Sequence, residues 1–250
     1  MSLSRSFHSE SVKLKRSASL RLCFIAAAIL PFLMTMGSIF GDAEPKSIPL
    51  NNLFLKSGDV LRMAFLPMYI VLTSTMLLQI EYRDKAWKQV LSSPQRLSHI
   101  FFAKFIMLQL LIIGFITVHN LLLILSGAII NAVRPGYFNG GLDIADVLIY
   151  YANTYLVVLG ISAIQFWLSL RFRNFIVPLA IGFCCWVIGL ILVINFKLAF
   201  TDYYPYAFTA LSVLTEGSPT ISFLLWMSVA NTLLFLAIGL TEFSIRKIKT

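Results

Sequence analysis

Apolar residues run along this chain in long blocks rather than in alternation. Six stretches contain no Asp, Glu, Lys or Arg: Leu22 to Gly41, Met63 to Ile80, Phe105 to Val133, Val147 to Leu170, Asn174 to Phe196 and Gly217 to Thr241. A helix that crosses the hydrocarbon core of a bilayer needs about 20 mostly apolar residues, within a range of about 17–25. Five blocks fall in or beside that range. The third is longer, so its helix is expected to tilt, break or begin below the bilayer. Strands of a membrane barrel would alternate over segments of about 10 residues, and these blocks do not. The pattern predicts an all-α polytopic membrane protein, a single transmembrane domain over residues 1–250. Its six transmembrane helices are expected at about 20–40, 61–80, 104–130, 147–170, 175–196 and 220–241.

Composition narrows this further. The chain is 58% hydrophobic and 12% charged, against roughly 25% charged in soluble domains. That argues against a water-soluble enzyme, and so much apolar surface excludes a disordered chain. The first block could be the apolar part of a signal peptide, but its basic lead is long and no convincing small-x-small cleavage site follows Phe40. A retained helix is expected. Cys23, Cys184 and Cys185 have neither disulfide-framework nor zinc-ligand spacing. They read as buried, inert thiols, with no metal site.

The formal net charge is +9, and its distribution decides what it means. The N-terminal segment, the second and fourth loops and the tail hold 15 of the 20 Lys and Arg and four of the 11 acids, a balance of +11. The other side holds the remainder, a balance of −2. Lys and Arg in short loops mark the cytoplasm, so both termini are expected inside, in a bacterial cytoplasmic membrane. No soluble segment is long enough to present a basic surface of its own, which argues against a nucleic-acid partner.

Two stretches on the basic side carry more than a loop requires. In residues 3–19, Leu3, Phe7 and Leu14 lie near one helical face, with Glu10, Lys13, Lys15 and Arg16 among them. That pattern suits an interfacial helix lying against anionic headgroups; the alternative is a solvated basic tail. In residues 81–92, Arg83 to Leu91 can form a short helix, which Ser92-Ser93-Pro94 ends. Trp87, Val90 and Leu91 share a face, and Arg83, Asp84, Lys85 and Lys88 flank it. A short helix with one aromatic knob and a charged collar could pass force from a cytoplasmic partner. Equally, Trp87 could be an anchor at headgroup level.

The pairing of E-S-V-K-L-K-R-S (Glu10 to Ser17) with E-Y-R-D-K-A-W-K-Q-V-L-S-S-P-Q-R…A-K (Glu81 to Lys104) resembles ABC-2-type transporter permeases. More narrowly, it resembles those of the lantibiotic-immunity and bacitracin type. The resemblance implies that residues 3–19 form an elbow helix before the first span. It makes the segment from Glu81 a coupling helix seated on a separate ATPase subunit. Glu81, Arg83, Asp84 and Trp87 are then the expected contacts, with Lys85 and Lys88 beside them. Pro94 would end that helix and Lys104 re-enter the membrane. The outer aromatic loop 197–219, with Tyr203, Tyr204, Pro205, Tyr206 and Phe208, would supply re-entrant or interfacial helices before the last span. The implied partners are two copies of the ATPase, a second permease chain, identical or related, and the lipid membrane. ATP and magnesium would bind the ATPase, and no cofactor would bind this chain. The developed outer loop at 134–146 departs from the shortest members of the family, and its role is open.

No G-x-x-x-x-G-K-[ST], H-E-x-x-H or G-x-S-x-G motif occurs, so no catalytic residue is expected. Polar residues within the blocks include Gln109, His119, Asn120, Asn153, Gln165, Asn195 and Asn231. Such residues usually hydrogen-bond neighbouring helices, each contributing about 0.6–2 kcal/mol. His119, Asn120 and Asn231 are the candidates for a translocation path, and the His119-Asn120 pair could instead mark a kink. No acid or base appears mid-span, which disfavours an ion-coupled transporter. The leading reading is the permease subunit of an ATP-driven exporter of an amphipathic compound: a peptide antibiotic, a lipid-like molecule or a hydrophobic drug. The alternative is a stand-alone channel, scaffold or intramembrane enzyme using His119 and Asn120.

Overall fold

The computed structural model describes residues 18–41, 48–83, 97–196, 198–214 and 220–246, together with Phe7, Ser11 and Val12. Among these, six helices are long and apolar enough to cross a membrane: Ser19–Phe40, Leu50–Gln79, Leu97–Val133, Ile144–Arg171, Ile176–Phe196 and Ile221–Ile245. The fold is that of an all-α polytopic membrane protein. Its elements are α1 (Ala18–Phe40), β1 (Ile48–Pro49), α2 (Leu50–Val60), α3 (Leu66–Arg83), α4 (Leu97–Val133), β2 (Phe138–Asn139), α5 (Ile144–Arg171), α6 (Ile176–Ile191), α7 (Phe208–Leu211) and α8 (Ile221–Arg246). π-helical turns at Leu61–Phe65 and Leu192–Phe196 follow α2 and α6.

Two helices outrun their charge-free blocks by two turns or more. The second spanning helix starts at Leu50 and takes in Asp59 and Arg62, which the block pattern leaves in a loop. The third starts at Leu97 and takes in Lys104, which is 1% exposed. A block ends at the first charged residue, but a helix does not need to end there if its packing encloses that residue. At 37 residues α4 is unbroken. Its length of about 55 Å exceeds the roughly 30 Å hydrocarbon core, and the helix runs without a break through His119-Asn120.

The second, third and fourth spanning helices are the inner ones, and the first, fifth and sixth are mostly exposed. The most extensive pairings are α5 with α8 and α1 with α4, followed by α3 with α5. At the α5–α8 crossing, Ser228 Oγ accepts from the Gly160 amide at 2.9 Å. A Cβ on Gly160 would lie 3.3 Å from the Ser228 carbonyl oxygen, so the small residue sets the approach of the two backbones. Aromatic residues fill the rest: Tyr69 stacks on Phe115 at 4.1 Å, and Phe166 receives Phe101 and Phe105 edge-on. Cys23 is buried in this core, whereas Cys184 is exposed on α6, contrary to the expectation that all three thiols are buried.

At one end of the bundle, called here the strand end, the residue 134–146 connection has a definite role. β1 and β2 pair in parallel, Ile48 with Phe138 and Pro49 with Asn139. Arg134 donates to the Gly41 carbonyl at 3.0 Å, and Asn51 Oδ1 accepts from the Asp143 amide at 2.9 Å. Gly136 and Gly140 take φ of 83° and 82° around β2, a conformation that other residues seldom adopt. The connection thus ties α1 and α2 to α4 and α5. Asp143 also caps α5, accepting from the Ala145 and Asp146 amides.

Candidate functional site

The sequence-derived candidates fall in three groups. Glu10, Lys13, Lys15, Arg16, Asp84, Lys85, Trp87 and Lys88 lie outside the described residues. Glu81 and Arg83 form the last turn of α3; the helix of the second span therefore runs on into the segment read as a coupling helix. His119 and Asn120 lie in α4 and Asn231 in α8. Asn120 and Asn231 each donate back to their own helix, to the Ile116 and Met227 carbonyls at 2.8 Å.

His119 is fully buried, and its contacts explain themselves once Pro31 is considered. Proline has no N–H, so Pro31 within α1 leaves the Ala27 carbonyl without its helical donor. His119 Nδ1 lies 3.4 Å from that carbonyl oxygen, and Nε2 lies 3.1 Å from Ser57 Oγ. A carbonyl only accepts, so Nδ1 carries the proton, and Ser57 donates to Nε2. The imidazole is a neutral bridge among α1, α2 and α4.

A second centre, built around Arg62, was missed at the sequence level. Pro67 stands one residue into α3 and leaves the Met63 carbonyl without a helical donor. The chain widens there into the π turn Leu61–Phe65. Trp186 of α6 supplies the missing donor, its Nε1 lying 3.1 Å from the Met63 oxygen. The same turn aims Arg62 inward, where it is 3% exposed. Its Nε and Nη2 donate to Thr154 Oγ1 at 3.0 and 2.6 Å, Nη2 to the Tyr150 carbonyl at 3.2 Å and Nη1 to the Ser212 carbonyl at 3.2 Å. The guanidinium also lies 4.2 Å above the Tyr150 ring, whose hydroxyl donates to Asp59 at 2.6 Å. A charge this buried requires such a shell, and here neutral acceptors and a π face provide it, with a carboxylate one ring away. A Cβ on Gly58 would collide with Tyr150 Cε1, so this glycine makes room for the ring. Asp59 and Arg62 at i, i+3 and the prolines in the blocks were the readable signals. The acceptors on α5 and Ser212 were not.

Ser212 ends a segment that enters the bundle rather than skirting it. Residues 206–210 are buried, with Phe208 and Ala210 packed against Val157, Val193 and Leu224. Tyr204 donates to the Cys185 carbonyl at 2.9 Å and Tyr206 to Gln165 Oε1 at 3.1 Å. Burial raises both phenols above the ordinary tyrosine value, which keeps them as donors. Gln165 Nε2 in turn donates to the Pro178 carbonyl at 2.8 Å.

At the opposite, basic end, Gln79 of α3 donates to the Arg173 carbonyl in the α5–α6 turn at 3.2 Å. That contact sits one helical turn before Arg83. Trp167 donates to Glu242 at 2.9 Å, and Arg171 lies 3.7 Å from the same carboxylate. The arrangement thus links helix ends mechanically, and among the described residues no group of His, Cys, Asp and Glu could hold a metal ion.

A comparison with protein families matches residues 6–189 to the one described as ABC-2 family transporter protein. The match takes in both basic-side segments, the first four spanning helices and most of the fifth. No curated protein matches the chain.

Proposed function

The chain belongs to the ABC-2 family of transporter proteins, membrane permease subunits that work with an ATPase, and we propose that it exports an amphipathic compound on ATP hydrolysed by a separate subunit. The family match over residues 6–189 carries this reading. The sequence has no phosphate-binding loop, so ATP and magnesium belong to the ATPase. The resemblance to lantibiotic-immunity and bacitracin-type permeases supports a peptide antibiotic or lipid-like cargo, and a bacterial cytoplasmic membrane as the location. Two permease chains and two ATPases would form the working unit, with the basic end inside and the strand end outside.

In this reading, ATP binding draws the ATPases together and displaces the segment around Asp84 and Trp87. That segment continues from Arg83, so its motion enters α3 directly, and Gln79 passes it to the α5–α6 turn. Switching between two packings of the spans then moves the cargo.

The test is gentle solubilisation of the tagged full-length chain followed by identification of what co-purifies. A P-loop ATPase is expected. Recovery of the chain alone in several mild detergents would overturn the reading.

A further inference from the structure

Two side-chain bonds join adjacent residues of the π turn to one body of the protein. Trp186, on α6, donates to the Met63 carbonyl, and Arg62 donates to the carbonyl of Ser212, beyond α7. Between those two points the chain is held together internally. Tyr204 reaches back to the Cys185 carbonyl. A Cβ on Gly189 would come within 2.9 Å of the Tyr206 carbonyl oxygen, so α6 and the following segment lie backbone to backbone. A second π turn, Leu192–Phe196, stands where α6 gives way to that segment. π turns are costly single-turn irregularities that recur at functional sites.

We propose that residues Arg62 and Met63 form a latch that holds α6 and the residue 198–212 segment closed at the strand end, and that opening breaks both bonds while Gln165 keeps the body attached to α5. Neither bond is internal to the body, and both end on backbone carbonyls that water can satisfy once exposed. The Gln165 contacts with Tyr206 and Pro178 lie on the α5 side and need not change. The charge on Arg62 suits this role: in the closed state it has enough neutral acceptors to stay buried, and loss of one of them lets it reach water. The inference rests on the exporter reading only for the side of the membrane that the segment faces.

The test uses Thr209→Cys as a reporter in the full-length chain in intact cells. Thr209 is fully buried, and its hydroxyl makes no hydrogen bond, so the replacement costs no hydrogen bond. Labelling by a membrane-impermeant maleimide, corrected for the parent chain, should be slow. Arg62→Lys keeps the charge but loses the fork, and should speed labelling roughly tenfold or more. Trp186→Phe keeps an aromatic ring but loses the donor and part of the indole's volume; it should give roughly two- to tenfold. The double variant should multiply the two effects. Unchanged labelling in both the Trp186→Phe and the Arg62→Lys chains would overturn the latch. So would an equal rise at Ser162→Cys, a buried control on α5, since that marks general loosening. If Thr209→Cys is labelled only in inverted vesicles, whose exposed face is the cytoplasmic one, the assigned topology is overturned instead, and the same variants read the latch from that side.

Discussion

Among the described residues, two of the bundle's buried polar centres differ in kind. At His119 a neutral ring repairs a carbonyl orphaned by Pro31 and takes one more bond from Ser57. At Arg62 a charged fork gathers Thr154, Tyr150 and Ser212, while Trp186 alongside repairs the carbonyl orphaned by Pro67. The first centre joins regular helices and can be dismantled at the cost of ordinary hydrogen bonds. The second holds a charge out of water, so its closed form depends on every acceptor being in place. A neutral repair fixes helices together, whereas a caged charge can be released. This is why the sequence candidate His119 reads as packing and the Arg62 turn as the moving part.

Removing the charge breaks the comparison most severely. Arg62→Met leaves three buried acceptors and an aromatic face without their cation. It should lower stability by about 1–3 kcal/mol for each acceptor left without a donor, measured as thermal loss of monodisperse protein in mild detergent. A melting curve matching the parent would mean that the cage is not closed around the charge. Gly58→Ala comes next, because its Cβ must displace the Tyr150 ring from between Arg62 and Asp59. The expected loss is up to about 3 kcal/mol, with no change if the ring simply swings aside. His119→Leu should cost about 2 kcal/mol by leaving the Ala27 carbonyl and Ser57 unpaired. Pro31→Ala returns an N–H to that carbonyl, so adding it to His119→Leu should recover part of the loss; absence of recovery would refute the repair role. Ser57→Ala should show the smallest effect, about 0.6 kcal/mol, and an effect as large as that of Arg62→Met would erase the distinction between the centres.

Much of the architecture was legible because membrane spans write themselves as charge-free lengths. The same criterion hid Arg62, because a block stops at any charge while the helix continues through one that is enclosed. Pro31 and Pro67 each announced an orphaned carbonyl, but the donors His119 and Trp186 come from helices far along the chain, and no local pattern points to them. Thr154 was likewise unremarkable until Arg62, 92 residues away, was seen to use it twice. The role of the 134–146 connection stayed open because a two-residue parallel pairing leaves no periodic signal. By contrast, the segment around Trp87 is visible only through its residue types and its family resemblance. Its role therefore rests on a functional test rather than on packing.

The most direct measurement of the central claim is ATP turnover by the co-purified complex, comparing the parent chain with the Trp87→Ala, Asp84→Ala variant. If this chain is a permease driven through that segment, the parent complex hydrolyses ATP at a rate set by the permease. The variant still inserts and purifies, but its ATPase turns over independently of it. Identical, permease-responsive turnover in both complexes would contradict the coupling role, and a parent chain that carries no ATPase would contradict the account as a whole.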